Sequence, residues 1–197
     1  TDSTASGPVS YMRVFDRSCE TVESAGARRG AQMAVLRIDH PDIELFIDAK
    51  KMPDFGTLGL DAAQSEQLMK LIRTKNDFGW AMRKAFASLS NFNISVGVTD
   101  KFMRAVLADA EFDLVHKAEP NFEAAKVTGE DGEQRFVYRT VRARDLWRKL
   151  IRNAYEFGDP GILFLDTINA TNNLWYCEVI KACNPCGEQM LPAYGCC

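Results

Sequence analysis

Asn184, Cys186 and Glu188 stand at alternate positions in the run Cys183-Asn184-Pro185-Cys186-Gly187-Glu188-Gln189. In an extended segment, side chains at i, i+2 and i+4 project to one side. Such a face offers a hydrogen-bonding amide, a sulfur and a carboxylate able to act as general base. Pro185 and Gly187 point the other way and disfavour a helix. A further thiol follows at Cys197. This set suits redox chemistry on a hydroxylated substrate.

Three plainer readings of the cysteines compete. Cys19 stands alone, whereas Cys177, Cys183, Cys186, Cys196 and Cys197 cluster at the end of the chain. A secreted disulfide scaffold spreads its cysteines through a small chain. Clustering in a reducing compartment points instead to metal binding or redox catalysis. A non-catalytic zinc module would use Cys183 and Cys186 with Cys196 and Cys197, but adjacent cysteines are poor geometry for a second knuckle. A thioredoxin-type pair at Cys183 and Cys186 should open a helix, whose dipole lowers a thiol pKa. Asn184-Pro185 followed by Gly187 and Pro192 is a poor helix start. Buried, apolar thiols are the third reading, and the preferred one for Cys19 and Cys177.

The elements that must position this motif alternate along the chain. Residues 10–24 carry Met12, Phe15, Cys19 and Val22 at helical spacing. Residues 26–30 form a short loop. Residues 31–38 (AQMAVLRI) predict a buried strand. Asp39 and Pro41 open a helix to about Lys50. After a loop at 51–60, Asp61 with Gln64 makes a capping box for a helix carrying Leu68, Leu71 and Ile72. Residues 76–90 are ambiguous, with a further helix as the best reading. Strand 93–98 (NISVGV) precedes a helix capped by Thr99 and carrying Phe102, Met103, Val106 and Leu107. Strands at 112–116 and 136–141 flank a polar surface segment containing Gly129 and Gly132. The clearest helix spans 142–157, stopped by Gly158, and ILFLD at 162–166 predicts an apolar strand. This alternation argues an α/β architecture with parallel strands, whose faces must both be covered.

The 197 residues suit one domain, with 46% hydrophobic and 26% charged residues. A net charge of -3 gives no reason to expect a nucleic-acid partner or an anionic membrane surface. No apolar run reaches the ~18 residues of a membrane span. The start of the chain lacks the basic and apolar regions of a signal peptide. A cytoplasmic protein is the default expectation. The chain stops on a cysteine pair without a polar tail, and it reads as a piece of something longer.

The run NPCGEQ, then LP, then YGCC resembles the finger loop of the ribonucleotide reductase large subunit, especially its adenosylcobalamin-dependent class. Further stretches agree in order along the chain: GPVSYMRVFD, ETVESAGARRGAQMAVL, DHPDIELFI, NFNISVGVTDKFM, DLVHKAEP, YRTVRARDLW and PGILFLDTINATNNL. The departure is an insertion at about 51–90, longer than the resemblance predicts.

The resemblance implies a fold, an α/β barrel of ten strands with the radical cysteine on a central finger loop. Residues 1–197 would be part of that catalytic barrel domain, with the finger loop at about 183–197. It implies reduction of ribonucleotides, with diphosphates expected, to 2′-deoxyribonucleotides for DNA synthesis and repair. Cys186 would become a thiyl radical and abstract the 3′-hydrogen of the ribose. Homolysis of the cobalt–carbon bond of adenosylcobalamin would generate that radical, although no cobalamin contacts are identifiable in the sequence. Glu188 would take the proton of the 3′-hydroxyl and Asn184 would hold the ribose hydroxyls. Cys197 would be half of the pair that reduces the 2′-carbon, its partner lying upstream of Thr1. Thioredoxin or glutaredoxin would restore the pair. Ser24–Ala31, with Gly26, Ala27, Arg28, Arg29 and Gly30, resembles the specificity loop between substrate base and a deoxynucleotide or ATP effector. A homodimer is the implied assembly. A metal-radical class is the runner-up, and a glycyl-radical class would dispense with Glu188.

Overall fold

The computed structural model describes residues 6–21, 23–24, 28–52, 55–74, 76–86, 88–129 and 131–196. In chain order the elements begin α1 (Gly7–Thr21), β1 (Glu23–Ser24), β2 (Arg28–Arg29), β3 (Gln32–Arg37) and α2 (Ile43–Ile47). A 3-10 turn (Phe55–Leu58), α3 (Ala62–Ile72), α4 (Asp77–Phe86), β4 (Phe92–Val98) and α5 (Asp100–Leu107) follow. Then come β5 (Glu111–His116), β6 (Lys126–Thr128), β7 (Gln134–Arg142), α6 (Ala143–Phe157) and β8 (Gly161–Phe164). The last elements are α7 (Leu165–Ala170), β9 (Ile180–Cys183) and β10 (Met190–Pro192). The architecture is mixed α/β.

The centre is a parallel sheet in the order β3-β4-β8. Its register places Met33 beside Asn93, and Ser95 between Val35 and Gly161. Strand side chains alternate between faces, so this sheet has two unlike sides. One side carries Ala34, Leu36, Ile94, Val96, Val98 and Ile162, which join the main core beneath the helices. There Phe46, Phe102, Leu146 and Leu150 are buried with them. The other side carries Met33, Val35, Asn93, Ser95, Gly97, Gly161 and Leu163, and it faces the β9–β10 hairpin. Gly97 is required there: a Cβ on it would lie 2.6 Å from Leu165 Cδ1.

The helix starts predicted from capping chemistry are present. Asp61 accepts from Gln64 N at 2.8 Å while Gln64 Oε1 accepts from Asp61 N at 2.9 Å. Thr99 Oγ1 accepts from Phe102 N at 3.3 Å, meeting an otherwise orphan donor of the first turn. Gly158, with φ +79, ends α6 in the left-handed conformation. The ambiguous stretch at 76–90 contains α4, so the described part of residues 51–90 is largely a pair of helices, with Phe55 and Phe86 edge to face at 5.3 Å.

Several expectations are corrected. The helix expected from Asp39 to Lys50 is only α2, which starts after Asp42 without a side-chain cap, while Asp39 is held by Arg37 at 2.8 Å. The loop expected at 26–30 includes β2, paired with β1. The strand expected through Asp166 stops at Phe164, and Leu165 starts α7. Parallel pairing does not extend to β5, β6 and β7, which form an antiparallel sheet in the order β5-β7-β6. The link between β6 and β7 is a short turn containing Gly132 at φ +77. A link so short can only join antiparallel strands. The described strands lie in four sheets of two, two, three and three, and none closes into a barrel. Both edges of the parallel sheet stay open among the described residues, and large apolar side chains such as Trp175 (74% exposed) face outward. No helix among the described residues is long and apolar enough to cross a membrane.

The two histidines of the chain meet where the two three-stranded sheets join. His40 and His116 lie edge to face at 5.3 Å. His40 Nδ1 accepts from Asp42 N at 3.0 Å, and His116 Nδ1 accepts from Ala118 N at 3.0 Å. Burial lowers the pKa of His40; the Asp42 and Asp39 carboxylates pull the other way and His116 adds to the lowering. The unfolded chain therefore binds this proton first as pH falls. The contribution is present above the unfolded pKa, about 6.5, and is lost as pH falls from there toward the folded value. Melting midpoints are expected to drop below about pH 6.5, and to drop less in His40→Gln. Identical pH profiles for the two proteins would contradict this.

Candidate functional site

Antiparallel β9 and β10 pair Cys183 with Met190 and Ala182 with Leu191. Between them, residues 184–187 form a β-turn in which Gly187 N donates to Asn184 O at 3.0 Å. Asn at the first position, Pro at the second and Gly at the fourth are the residues that such a turn favours. Pro185 has its φ preset, and Gly187 tolerates φ +81 without a Cβ penalty. The expectation of an extended segment is therefore overturned: the same Pro and Gly that exclude a helix close a turn.

The turn still assembles the three residues. Asn184 is buried, 5% exposed. Its Nδ2 donates to Glu188 Oε1 at 2.6 Å, its Oδ1 accepts from Gln189 N at 3.0 Å, and its own N donates to Gln189 O at 3.0 Å. Cys186 occupies the third position of the turn, and its thiol is exposed. An amide and a carboxylate thus sit as a bonded pair at the base of a turn whose tip carries a thiol. Cys183, by contrast, is buried at the end of β9. Burial raises its pKa, and the charge of Glu188 adds to the rise, which keeps this second thiol protonated and unreactive.

Two asparagines outside the motif hold the hairpin in place. Asn169 on α7 clamps the start of β9, donating to Ile180 O at 2.9 Å and accepting from Ile180 N at 2.8 Å. Asn93 on β4 donates to Pro185 O, the carbonyl immediately before Cys186. Leu163, Leu165 and Cys183 pack with Met33, Val35 and Met190 under the hairpin. A cleft of about 410 Å³ remains beside them, lined by Asn93, Ser95, Gly161, Pro185, Cys186 and Gly187 among others. Asn93 and Ser95 were not singled out in the sequence. Their signal was Asn93, Ser95 and Gly97 at alternate positions of an otherwise apolar strand, which marks one polar, close-packed face.

The other predicted residues lie apart from this cleft. Cys197, Gly26 and Ala27 fall outside the described residues. The backbone of Arg28 and Arg29 forms β2. Gly30 packs against α1, where an added Cβ would lie 3.2 Å from Cys19 Sγ. Cys19 itself is half-buried and accepts from Gln32 Nε2 at 2.9 Å. Cys177, expected to be buried, is exposed in the turn after α7. Among the described residues no group of three or more His, Cys, Asp or Glu side chains could hold a metal ion. Neither this cleft nor two others, of about 550 and 400 Å³, is sized to enclose a corrin. The Cys186 thiol is exposed beside this cleft and open to an external group.

Comparison with known proteins covers the whole chain. Residues 1–197 match the family described as ribonucleotide reductase, barrel domain. A vitamin B12-dependent ribonucleoside-diphosphate reductase of Thermoplasma acidophilum is 34% identical over 197 residues, 100% of this chain and 20% of the relative. A protein of the same name from Mycobacterium tuberculosis is 36% identical over 197 residues, 100% of the chain and 22% of the relative. A vitamin B12-dependent ribonucleotide reductase of Streptomyces clavuligerus is 38% identical over 192 residues, 94% of the chain and 17% of the relative. The chain thus spans about a fifth of the length of the curated relatives it matches.

Proposed function

The chain belongs to the ribonucleotide reductase barrel-domain family, and we propose that it carries the radical-bearing part of a cobalamin-dependent reductase acting on ribonucleoside diphosphates. The observation that supports this most is the Asn184–Cys186–Glu188 turn beside a cleft of about 410 Å³, a volume in the range of small-ligand sites. The parallel strands β3, β4 and β8 would be one arc of a ten-stranded barrel, with the turn as its central finger loop.

Adenosylcobalamin, when bound, supplies the one-electron oxidation that turns the Cys186 thiol into a thiyl radical. That sulfur removes the 3′-hydrogen of the ribose, re-forming S–H and leaving a carbon radical. The 3′-hydroxyl becomes more acidic, and Glu188 accepts its proton. Asn184 hydrogen-bonds the ribose hydroxyls. In the free site Asn184 and Glu188 bond each other, so substrate hydroxyls would take over those bonds with both groups already oriented. Water leaves from the 2′-carbon. Cys197 and a second cysteine would supply two electrons and two protons and end as a disulfide, which thioredoxin or glutaredoxin reduces. Cys186 would then return its hydrogen atom to the 3′-carbon, restoring that C–H bond and the thiyl. Gly26, Ala27, Arg28, Arg29 and Gly30 would form the loop that relays deoxynucleotide or ATP effector identity to substrate choice. The working unit would be a cytoplasmic homodimer.

The test is an assay of the complete protein with a ribonucleoside diphosphate, a dithiol and adenosylcobalamin. Deoxyribonucleotide should form, unaffected by a metal chelator. Product that needs a separate metal-containing subunit would move the chain to the metal-radical class. No product under either condition would overturn the reading.

A further inference from the structure

We propose that Asn93 is a positioning residue that sets the orientation of Cys186 through the Pro185 carbonyl, an inference that rests on the radical role just proposed for Cys186. Asn93 is on the hairpin side of β4, in register with Met33. Its Nδ2 donates to Pro185 O, 92 residues away in sequence, and both side chains line the cleft that Cys186 also lines. The Pro185 carbonyl belongs to the same peptide plane as the amide nitrogen of Cys186. Holding that oxygen fixes the plane, and with it the direction of the Cα–Cβ bond that carries the thiol. Pro185 has no N–H of its own to anchor the turn.

The rest of the turn is braced from within itself. Asn184 bonds Glu188 and Gln189, and Gly187 closes on Asn184. Those bonds keep the turn's shape but do not fix its height over the sheet. Asn169 secures the hairpin at Ile180, at the opposite end of β9. Beside the packing of Cys183 and Met190 under the hairpin, the hydrogen bond from Asn93 ties the thiol-bearing tip itself to the floor of the cleft among the described residues. Hydrogen transfer to sulfur requires close approach to one C–H bond, and a misplacement of about 1 Å can cost on the order of 100-fold.

The experiment compares Asn93→Asp and Asn93→Gln with the parent in the complete cobalamin-loaded protein. Asp keeps the shape but loses the donor, whereas Gln keeps the donor on a longer arm. Asn93→Asp is expected to lower kcat about 10- to 100-fold, with KM for the nucleotide changed less than about threefold because the bulk of ribose recognition is untouched. The isotope effect with 3′-deuterated substrate should rise as hydrogen transfer becomes rate-limiting. Asn93→Gln should retain more activity than Asn93→Asp. Unchanged kcat and isotope effect in Asn93→Asp, or an equal loss in both variants, overturns the assignment. If Cys186→Ala remains active, the radical reading itself has failed, independently of Asn93. Should Asn93→Asp fold poorly, the same kcat and isotope effect are read on Asn93→Ala, which also lacks the donor; no rise in the isotope effect and no loss of kcat there overturn the proposal.

Discussion

Cys186→Ala in the complete protein is expected to reduce deoxyribonucleotide formation by on the order of 10⁴-fold or more, to background. The reason is chemical. In the proposed mechanism the sulfur is the atom that holds the unpaired electron and then the abstracted hydrogen. Its neighbours cannot substitute: Cys183 is buried under the hairpin with a raised pKa, and Cys196 lies beyond β10. Cys186→Ser should be equally inactive, because an O–H bond is too strong to be broken in place of S–H. The same substitutions should leave stability within about 0.5 kcal/mol, as expected for an exposed turn position. The measurement pairs turnover with the unfolding midpoint. Residual turnover near the parent rate would remove Cys186 from the mechanism. A large fall in stability would show that inactivity came from misfolding.

Phe102→Ala is expected to give the opposite pattern, a loss of about 3–5 kcal/mol in stability with turnover per folded molecule retained. Phe102 is 0% exposed. Its ring meets Phe112 edge to face at 5.0 Å and Trp147 at 6.4 Å. It joins α5, β5 and α6 on the helix side of the parallel sheet. Truncation removes the transfer free energy and leaves a cavity that three elements cannot collapse into together. The site lies on the other side of β4, so its geometry should survive in molecules that fold. Urea unfolding read as a midpoint shift at constant slope checks the first part. A shift worth less than about 1 kcal/mol would mean that this core relaxes around the gap.

The fold and the site were legible to different depths. Caps and stops were readable because they are local chemistry: Asp61 with Gln64, Thr99, and Gly158 act on neighbours within a turn. The types of most elements followed from period and composition. Partnership between distant strands did not. Nothing within β5 or β7 distinguishes a parallel from an antiparallel neighbour; the short link after β6 decides only the β6–β7 pair, and the β5–β7 pair is set by how the chain returns after β6. The end of β8 was overrun for a related reason. Residues 162–165 are apolar throughout, but Leu165 turns away to start α7 and packs over Gly97.

For the site, the residue types alone determined which groups could do chemistry: an amide, a thiol and a carboxylate spaced closely enough to converge. They also determined that Pro185 and Gly187 would keep this stretch out of a helix. Only the tertiary structure decided how convergence occurs. The three do not share the face of a strand; a β-turn folds Glu188 back onto Asn184 and lifts Cys186 to its tip. The tertiary structure also supplied Asn93 and Asn169, which reach the hairpin from β4 and α7. A hydrogen bond between residues 93 and 185 depends on where the chain returns after the crossover from β4 to β8 and the passage through α7. Local sequence specifies the donor and the acceptor, but the packing of the whole sheet specifies that they meet.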